Sequence, residues 1–509
     1  MVKRASGALL QGIKIDPDST RPLTTQITIA IRDTILEGGL RAGERLPATR
    51  TLASDLGVSR TTMVDVFERL VAEGLVESRT GAGTFVSQTL DANPLTLSRR
   101  SAASGELRPA APPRIARAHP EFVSRLPHAV RAFTTALPAF DMFPFAQWAR
   151  QTAKHWRNQR DVLLGYGDNC GYPPLRTAIA AHLRASQGIA CEPEQIFIVN
   201  GAQHAFHVIA SVLIDPEDTV WFENPGAIGA RNALTAAGAR LVPLPVDSDG
   251  LMVERGLKLA PDFRLAFVTP SHQQPLGVTM SLARRFALLR AADTAGACII
   301  EDDYDGEFQY GDHPLPSLKS VDRTGRVFYV GTFSKTLFPA LRLGYFLAPP
   351  AYVDIFTEAF NAYLPGVPSN PQAVVAGFID EGHFATHVRR TRRTYKERHQ
   401  VFVECARERL SGLLDVVPAD TGLHTIGHLR EDLSENLVTR RAEERQITVA
   451  PINRFCIEPV DINGLVLGFS GIGPREIRNG VAILCEVLEG LAADRKPRRM
   501  TKRRRKVSG

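Results

Sequence analysis

At 509 residues, 44% hydrophobic and 23% charged, the chain has an ordinary globular composition and enough length for two or more domains. Its six cysteines (Cys170, Cys191, Cys298, Cys405, Cys456, Cys485) lie far apart, with no CxxC pair or His/Cys cluster, which argues against a disulfide framework or a metal site. No apolar run has signal-peptide or membrane-span length, so a cytoplasmic protein with no membrane partner is expected.

The net charge of +7 is unevenly placed. From Asp494 to the end, nine Lys/Arg and one acid carry +8, leaving −1 elsewhere. That basic tail, 493–509, either solubilises the chain or adds salt-sensitive, sequence-independent affinity for DNA. Composition divides the remainder into a helical and hairpin segment at 18–88, an Ala/Pro/Arg-rich linker at 89–132 and a long α/β segment at 133–492.

In the first segment, Ile27, Ile31 and Ile35 share one helical face that stops at Gly38-Gly39. RLPATRTLASDLGVSRTTMVDVFERLVAEGLV then supplies two helices joined at Leu56-Gly57-Val58, with Ser59 as cap of the second. On that second helix Val64, Phe67 and Leu70 are expected in the core, leaving Arg60, Thr61 and Thr62 for base edges and phosphates. LVESRTGAGTFVS reads as a hairpin whose tip, Arg79 to Gly83, has the glycines a wing needs near a phosphate backbone. A winged helix-turn-helix is expected. In AGERLPATRTLASDLGVSRTTM and RTGAGTFV the segment resembles the GntR family of regulators. That resemblance implies DNA contacts at Arg50, Ser59, Arg60, Thr61, Thr62, Arg79 and Gly83. With eight arginines, no lysine and nine acids between Asp18 and Gln88, binding must rely on a local cluster.

In the long segment, five apolar runs end in polar turns: QIFIVNGAQ, TVWFENPG, LAFVTPSHQQPLG, ACIIEDDYDGEF and RVFYVGTFSKTLFPALRLGYF. Parallel strands bind ligands beyond their carboxyl ends, so these runs aim functional groups at one rim. Pyridoxal 5′-phosphate (PLP) explains the residue types. Its aldehyde needs a lysine, its pyridinium nitrogen a carboxylate, and its phosphate backbone amides with hydroxyl or cationic groups. Lys335 and Asp302 fit the first two demands. The Gly201-Ala202-Gln203 turn at a helix start, with Thr332, Ser334 and Arg342, fits the third. Tyr304 is positioned to donate to the phenolic oxygen, with His272 and Gln273 nearby.

These segments, with YGDNCGYPPLRTAIAAHL, resemble fold type I aminotransferases over about 350 residues, and the head-plus-body arrangement resembles the MocR subfamily of GntR-type regulators. The resemblance implies an α/β aminotransferase-like domain with a mainly parallel sheet, with Lys335 as imine lysine, Asp302 as pyridinium partner and Arg342 on the phosphate. It also implies a head-to-tail homodimer in which Tyr166 reaches the partner's phosphate; a core tyrosine is the alternative. Two departures limit the likeness. Ala227 stands where the family commonly has a stacking tyrosine, and Leu465, Val466 and Leu467 replace an R-L-x-F segment whose arginine clamps a substrate carboxylate. Arg454 is the substitute clamp, with a structural salt bridge as the alternative. The function implied is a regulator of operator DNA that senses PLP or an amine or amino-acid effector; the alternative is an aminotransferase carrying a DNA-binding head.

Overall fold

The computed structural model describes residues 10, 13, 15, 16, 18–88, 122–124, 129–158, 163–311 and 315–494. Most of the expected linker, and the basic tail from 495, lie outside the described residues. The chain divides into two compact units, 1–110 and 111–509.

In the first unit, α1 (Leu23–Leu36) buries Ile27, Ile31 and Ile35, the stripe its periodicity predicts. Next come α2 (Thr49–Asp55), α3 (Arg60–Ala72) and a hairpin of β1 (Val76–Arg79) with β2 (Gly83–Val86), in which Arg79 pairs with Gly83. The Ser59 side chain accepts from the Thr62 amide and caps α3, worth about 1 kcal/mol. The core face of α3 differs from the expected one. Met63, Val66, Phe67 and Leu70 are buried, while Val64 is only half-buried. The i, i+3, i+4, i+7 stripe starting at Met63 points inward, and Val64 lies at its margin.

In the second unit, an eight-stranded sheet runs in the order β3-β10-β9-β8-β7-β4-β5-β6. Its strands are β3 (Ile196–Val199), β4 (Thr219–Asn224), β5 (Arg240–Asp247), β6 (Gly250–Leu251), β7 (Leu265–Val268), β8 (Cys298–Asp302), β9 (Val327–Thr332) and β10 (Gly344–Leu347). β4, β5, β7, β8 and β9 are mutually parallel. β10 is antiparallel to both β3 and β9, so β3 shares their direction. β3, β4, β7 and β8 are buried along their whole length. Alternate residues pack on opposite faces: Phe197 and Val199 join one cluster with α4 (Ala202–Leu213) and α5 (Ile228–Ala237), while Ile196 and Ile198 join another. Burial on both faces is why these strands read as unbroken apolar runs.

The chain beyond residue 380 departs from the parallel pattern. Two long helices, α6 (His383–Arg409) and α7 (Pro474–Asp494), accompany an antiparallel sheet. That sheet is ordered β11 (Leu414–Val416), β12 (His424–Leu429), β14 (Gly464–Gly468) and β13 (Ala450–Pro451). Phe133 bridges Gly468, whose missing side chain leaves room for the Thr134 carbonyl: a Cβ there would lie 2.2 Å from its oxygen. This pairing brings the start of the body, Thr135 and Ala136, to the same cavity as the strand ends.

Candidate functional site

At the carboxyl ends of the parallel strands lies a cavity of about 500 Å3, within the usual range for small-molecule sites. Asp302 closes β8 and Thr332 closes β9, and both line it, as do Tyr304, Ser334, Lys335 and Arg342. Gly201, Ala202 and Gln203 line it from the start of α4. Gly201 has φ +87° and caps that helix, and a Cβ there would meet no atom within 4 Å. Helix-start amides beside Ser334 and Arg342 form a cradle suited to a phosphate dianion. The Ser334 amide and the Thr332 hydroxyl are 3.2 Å apart, which fixes that turn.

The carboxylate at the cavity is electrostatically unfinished. Asp302 is 6% exposed and its Oδ1 has no hydrogen-bond partner among the described residues. Burial, then the neighbouring Asp303 and Asp305, push its pKa well above the ordinary range, while Lys335 opposes the rise. A cationic N–H against Asp302 would satisfy the orphaned oxygen and hold the carboxylate ionised, so the donor set fits a pyridinium ring. Lys335 Nζ donates to the Ala136 carbonyl at 2.9 Å. Burial and the Asp305 and Asp302 charges also raise the Tyr304 phenol well above its usual range, keeping it protonated.

Several expected residues stand behind the wall or away from the cavity. Tyr304 Oη lies 3.1 Å from His272 Nδ1 and 3.0 Å from the His272 carbonyl. His272 and Gln273 do not line the cavity; His272 Nδ1 is 2.8 Å from Asp305 Oδ2, and Gln273 donates to Glu223 and Pro225. Gln274, one residue further on, lines it instead, as do Asn200, His424, Leu423 and Phe455. Ala227 is in the wall, offering a methyl where a ring would stack. Val466 also lines it, with Leu465 and Leu467 buried beside it in β14. Arg454 is absent from the lining. Its guanidinium donates to the Ser124 carbonyl, and among the described residues no carboxylate forms a salt bridge with it. Tyr166 is fully exposed, not a core residue of this chain.

In the head, Arg50 is the second residue of α2 and Arg60 opens α3, and both are exposed, as is Thr61; Thr62 is half-buried and engaged with Ser59. Arg79 packs over the Phe85 ring at 4.9 Å and lies 3.8 Å from Glu77. Gly83 adopts φ +110°, and its open side faces the Arg45 guanidinium, a neighbour that no sequence signal singled out.

A winged helix-turn-helix head on an aminotransferase-fold body with a cavity at the carboxyl ends of its parallel strands defines the class. Residues 23–86 match the bacterial regulatory proteins of the gntR family, and residues 137–462 match aminotransferase class I and II. The chain is 40% identical over 476 residues to the probable rhizopine catabolism regulatory protein MocR of Rhizobium meliloti, covering 92% of this chain and 94% of that protein. It is 28% identical to the pyridoxine biosynthesis transcriptional regulator PdxR of Corynebacterium glutamicum, covering 90% and 94%. Among solved structures, it is similar to LysN, an alpha-aminoadipate aminotransferase of Thermus thermophilus complexed with N-(5′-phosphopyridoxyl)-L-leucine. That match has a TM-score of 0.65 and 29% identity, over 71% of this chain and 92% of LysN. The chain belongs to the MocR subfamily of GntR-type transcriptional regulators. Among the described residues, no helix is long and apolar enough to cross a membrane.

Proposed function

We propose that the body holds PLP, that PLP itself or an amine or amino acid acting through it is the effector, and that occupancy alters operator binding by the heads of a head-to-tail homodimer. Lys335 takes the aldehyde, Asp302 the pyridinium nitrogen and Tyr304 the phenolic oxygen, while Gly201 to Gln203, Thr332, Ser334 and Arg342 hold the phosphate. The cofactor supplies an aldehyde that joins amines covalently and a ring that withdraws electrons from them. Arg50, Arg60, Thr61 and Arg79 form the DNA-facing set, with Gly83 in the wing beside them. The exposure of Tyr166, with Leu164 at 72% and Phe145 at 70%, supports a subunit interface that would bring Tyr166 to a partner's phosphate.

One observation carries the sensor reading over the aminotransferase reading. Among the described residues lining the cavity, Lys335 and Arg342 are the only Lys or Arg. Once these engage the aldehyde and the phosphate, no lining cation remains to clamp an amino acid's carboxylate. A second feature supports coupling to the linker. Asn232 in α5 accepts from the Val123 amide at 3.1 Å and donates to the Val123 carbonyl at 2.9 Å. Arg454 holds Ser124 beside it. Both anchors adjoin cavity-lining residues, Ile228 to Ala230 and Phe455, so the end of the linker is tied to two walls of the site. The relative named for pyridoxine biosynthesis favours PLP as effector. The test is titration of the apoprotein with PLP followed by visible absorbance. Wild type should develop a visible band that Lys335→Ala lacks; an identical band in that variant would remove Lys335 from its role. Rapid transamination of an amino donor and keto acid would instead promote the enzyme reading.

A further inference from the structure

The glycine that ends the wing was expected to serve by letting the backbone approach DNA. Its surroundings indicate another use. Residues 43–46 form an edge beside β2: the Leu46 amide donates to the Thr84 carbonyl at 2.8 Å, the Val86 amide to Glu44 at 2.9 Å and the Gly43 amide to Val86 at 2.9 Å. Arg45 thereby sits directly opposite Phe85, in an antiparallel bridge. Its side chain crosses Gly83. A Cβ on Gly83 would fall 2.9 Å from Arg45 Nε and 3.1 Å from Nη2, too close for an ordinary contact.

Among the described residues, no carboxylate is paired with the charge so positioned. The ion pairs of the head among the described residues are Arg32 with Glu73 and Arg79 with Glu77, and Arg45 is exposed. Arg79, paired with Gly83 across the hairpin, brings a second guanidinium from the other side of β2. Two arginines therefore flank the wing, one from β1 and one from the 43–46 edge. Backbone bonds of this edge fix where the Arg45 side chain starts, and a guanidinium presents several donors to a phosphate.

We infer that Arg45 is a phosphate-contacting residue of the head, and that Gly83 acts by leaving the space in which the Arg45 side chain lies; this rests on the reading of residues 18–88 as DNA-binding. The contact is sequence-independent, because it is made to the backbone.

The test uses full-length protein and fluorescence anisotropy on two probes: a duplex from the DNA immediately upstream of its own gene and an unrelated duplex of equal length. Arg45→Ala should weaken both by the same factor. It should reduce the slope of log affinity against log salt by about 0.9 for each engaged head. Between 50 and 200 mM salt, that changes the wild-type affinity ratio by about 3.5-fold per head. Arg45→Lys should restore most of the slope. Gly83→Ala should weaken binding in the wild-type background and add little in Arg45→Ala, since the two changes remove one contact. Because Gly83→Ala is also strained at φ +110°, its thermal unfolding is compared with wild type; if Gly83→Ala fails to fold, Arg45→Ala, an exposed change, decides the question alone. Unchanged affinity and salt slope in Arg45→Ala, with wild type bound, would overturn the assignment. So would a Gly83→Ala loss of equal size in both backgrounds, which would mean direct backbone approach. Absence of binding by wild type to either probe would overturn the DNA-binding reading beneath it.

Discussion

Replacing Asp302 by asparagine should act in opposite directions on the apo and the cofactor-loaded body. In the apoprotein the carboxylate is buried with an orphaned oxygen, and burial raises its pKa. A carboxyl whose folded pKa lies above its unfolded value destabilises the fold increasingly as pH rises above the unfolded value, since the native state must either stay protonated or bury a charge. An asparagine side chain is neutral at every pH, so Asp302→Asn apoprotein should be more stable than wild type at pH 8, and the advantage should shrink toward pH 4. With PLP bound as proposed, the buried Asp302 carboxylate would pair with the cationic ring N–H. A charge-assisted hydrogen bond of this kind contributes about 1.5–3 kcal/mol, so PLP affinity should fall about 10- to 150-fold. The assay pairs thermal unfolding of both apoproteins across that pH range with absorbance titration by PLP. Equal PLP affinity, or a variant apoprotein less stable than wild type at pH 8, would refute the assignment of Asp302 as the ring's partner.

Arg50→Ala and Arg60→Ala should each cost about 1–3 kcal/mol of operator affinity where the side chain reads a base, while PLP titrations stay unchanged; wild-type DNA binding by both would sink the winged-helix contacts. Asn232→Ala combined with Arg454→Ala frees the 122–124 segment from the cavity walls and should abolish any difference in DNA affinity between apo and PLP-bound protein without changing PLP affinity; a preserved difference would show that coupling runs elsewhere. Burial and the neighbouring His272 depress His424 to about 3, so native His424 stays neutral while the unfolded chain takes up a proton below about pH 6.5. Stability from this group is present at neutral pH and lost as pH falls. His424→Gln should therefore lose about 3 kcal/mol less than wild type between pH 7 and 4, by denaturant unfolding; parallel profiles would contradict it.

The sequence made the head legible because its helices are amphipathic and its turns carry capping and glycine signals, as at Ser59 and Gly57. It misjudged the inner face of α3 by one position, since Met63 and Val64 are both apolar and periodicity alone does not choose between them. The strand ends were legible because apolar runs stopped at Asp302 and Thr332. What lay beyond them was less so. In PSHQQPLG, four polar side chains follow one another, and only the turn decides that Gln274 faces the cavity while His272 turns toward Asp305. The antiparallel sheet was hidden because β12 and β14 are buried on both faces apart from His428, so they lack the alternation that marks a half-exposed antiparallel strand. Arg454 drew attention as an arginine near the expected clamp, but its partner Ser124 is 330 residues away in sequence. No local pattern announces such a contact, and none announces that Arg45 lies over Gly83.

A sensor of this kind requires cofactor occupancy and operator binding to be coupled, and coupling is reciprocal because it is a single free energy shared by two sites. The decisive experiment is a paired titration at one fixed salt concentration: DNA into apoprotein and into PLP-saturated protein, then PLP into free and DNA-bound protein. The two DNA affinities should differ, by about 5- to 150-fold if the coupling has the usual 1–3 kcal/mol size, and the two PLP affinities should differ by the same factor. Coincident DNA curves, with coincident footprints and bending whether PLP or any amine is present, would contradict it.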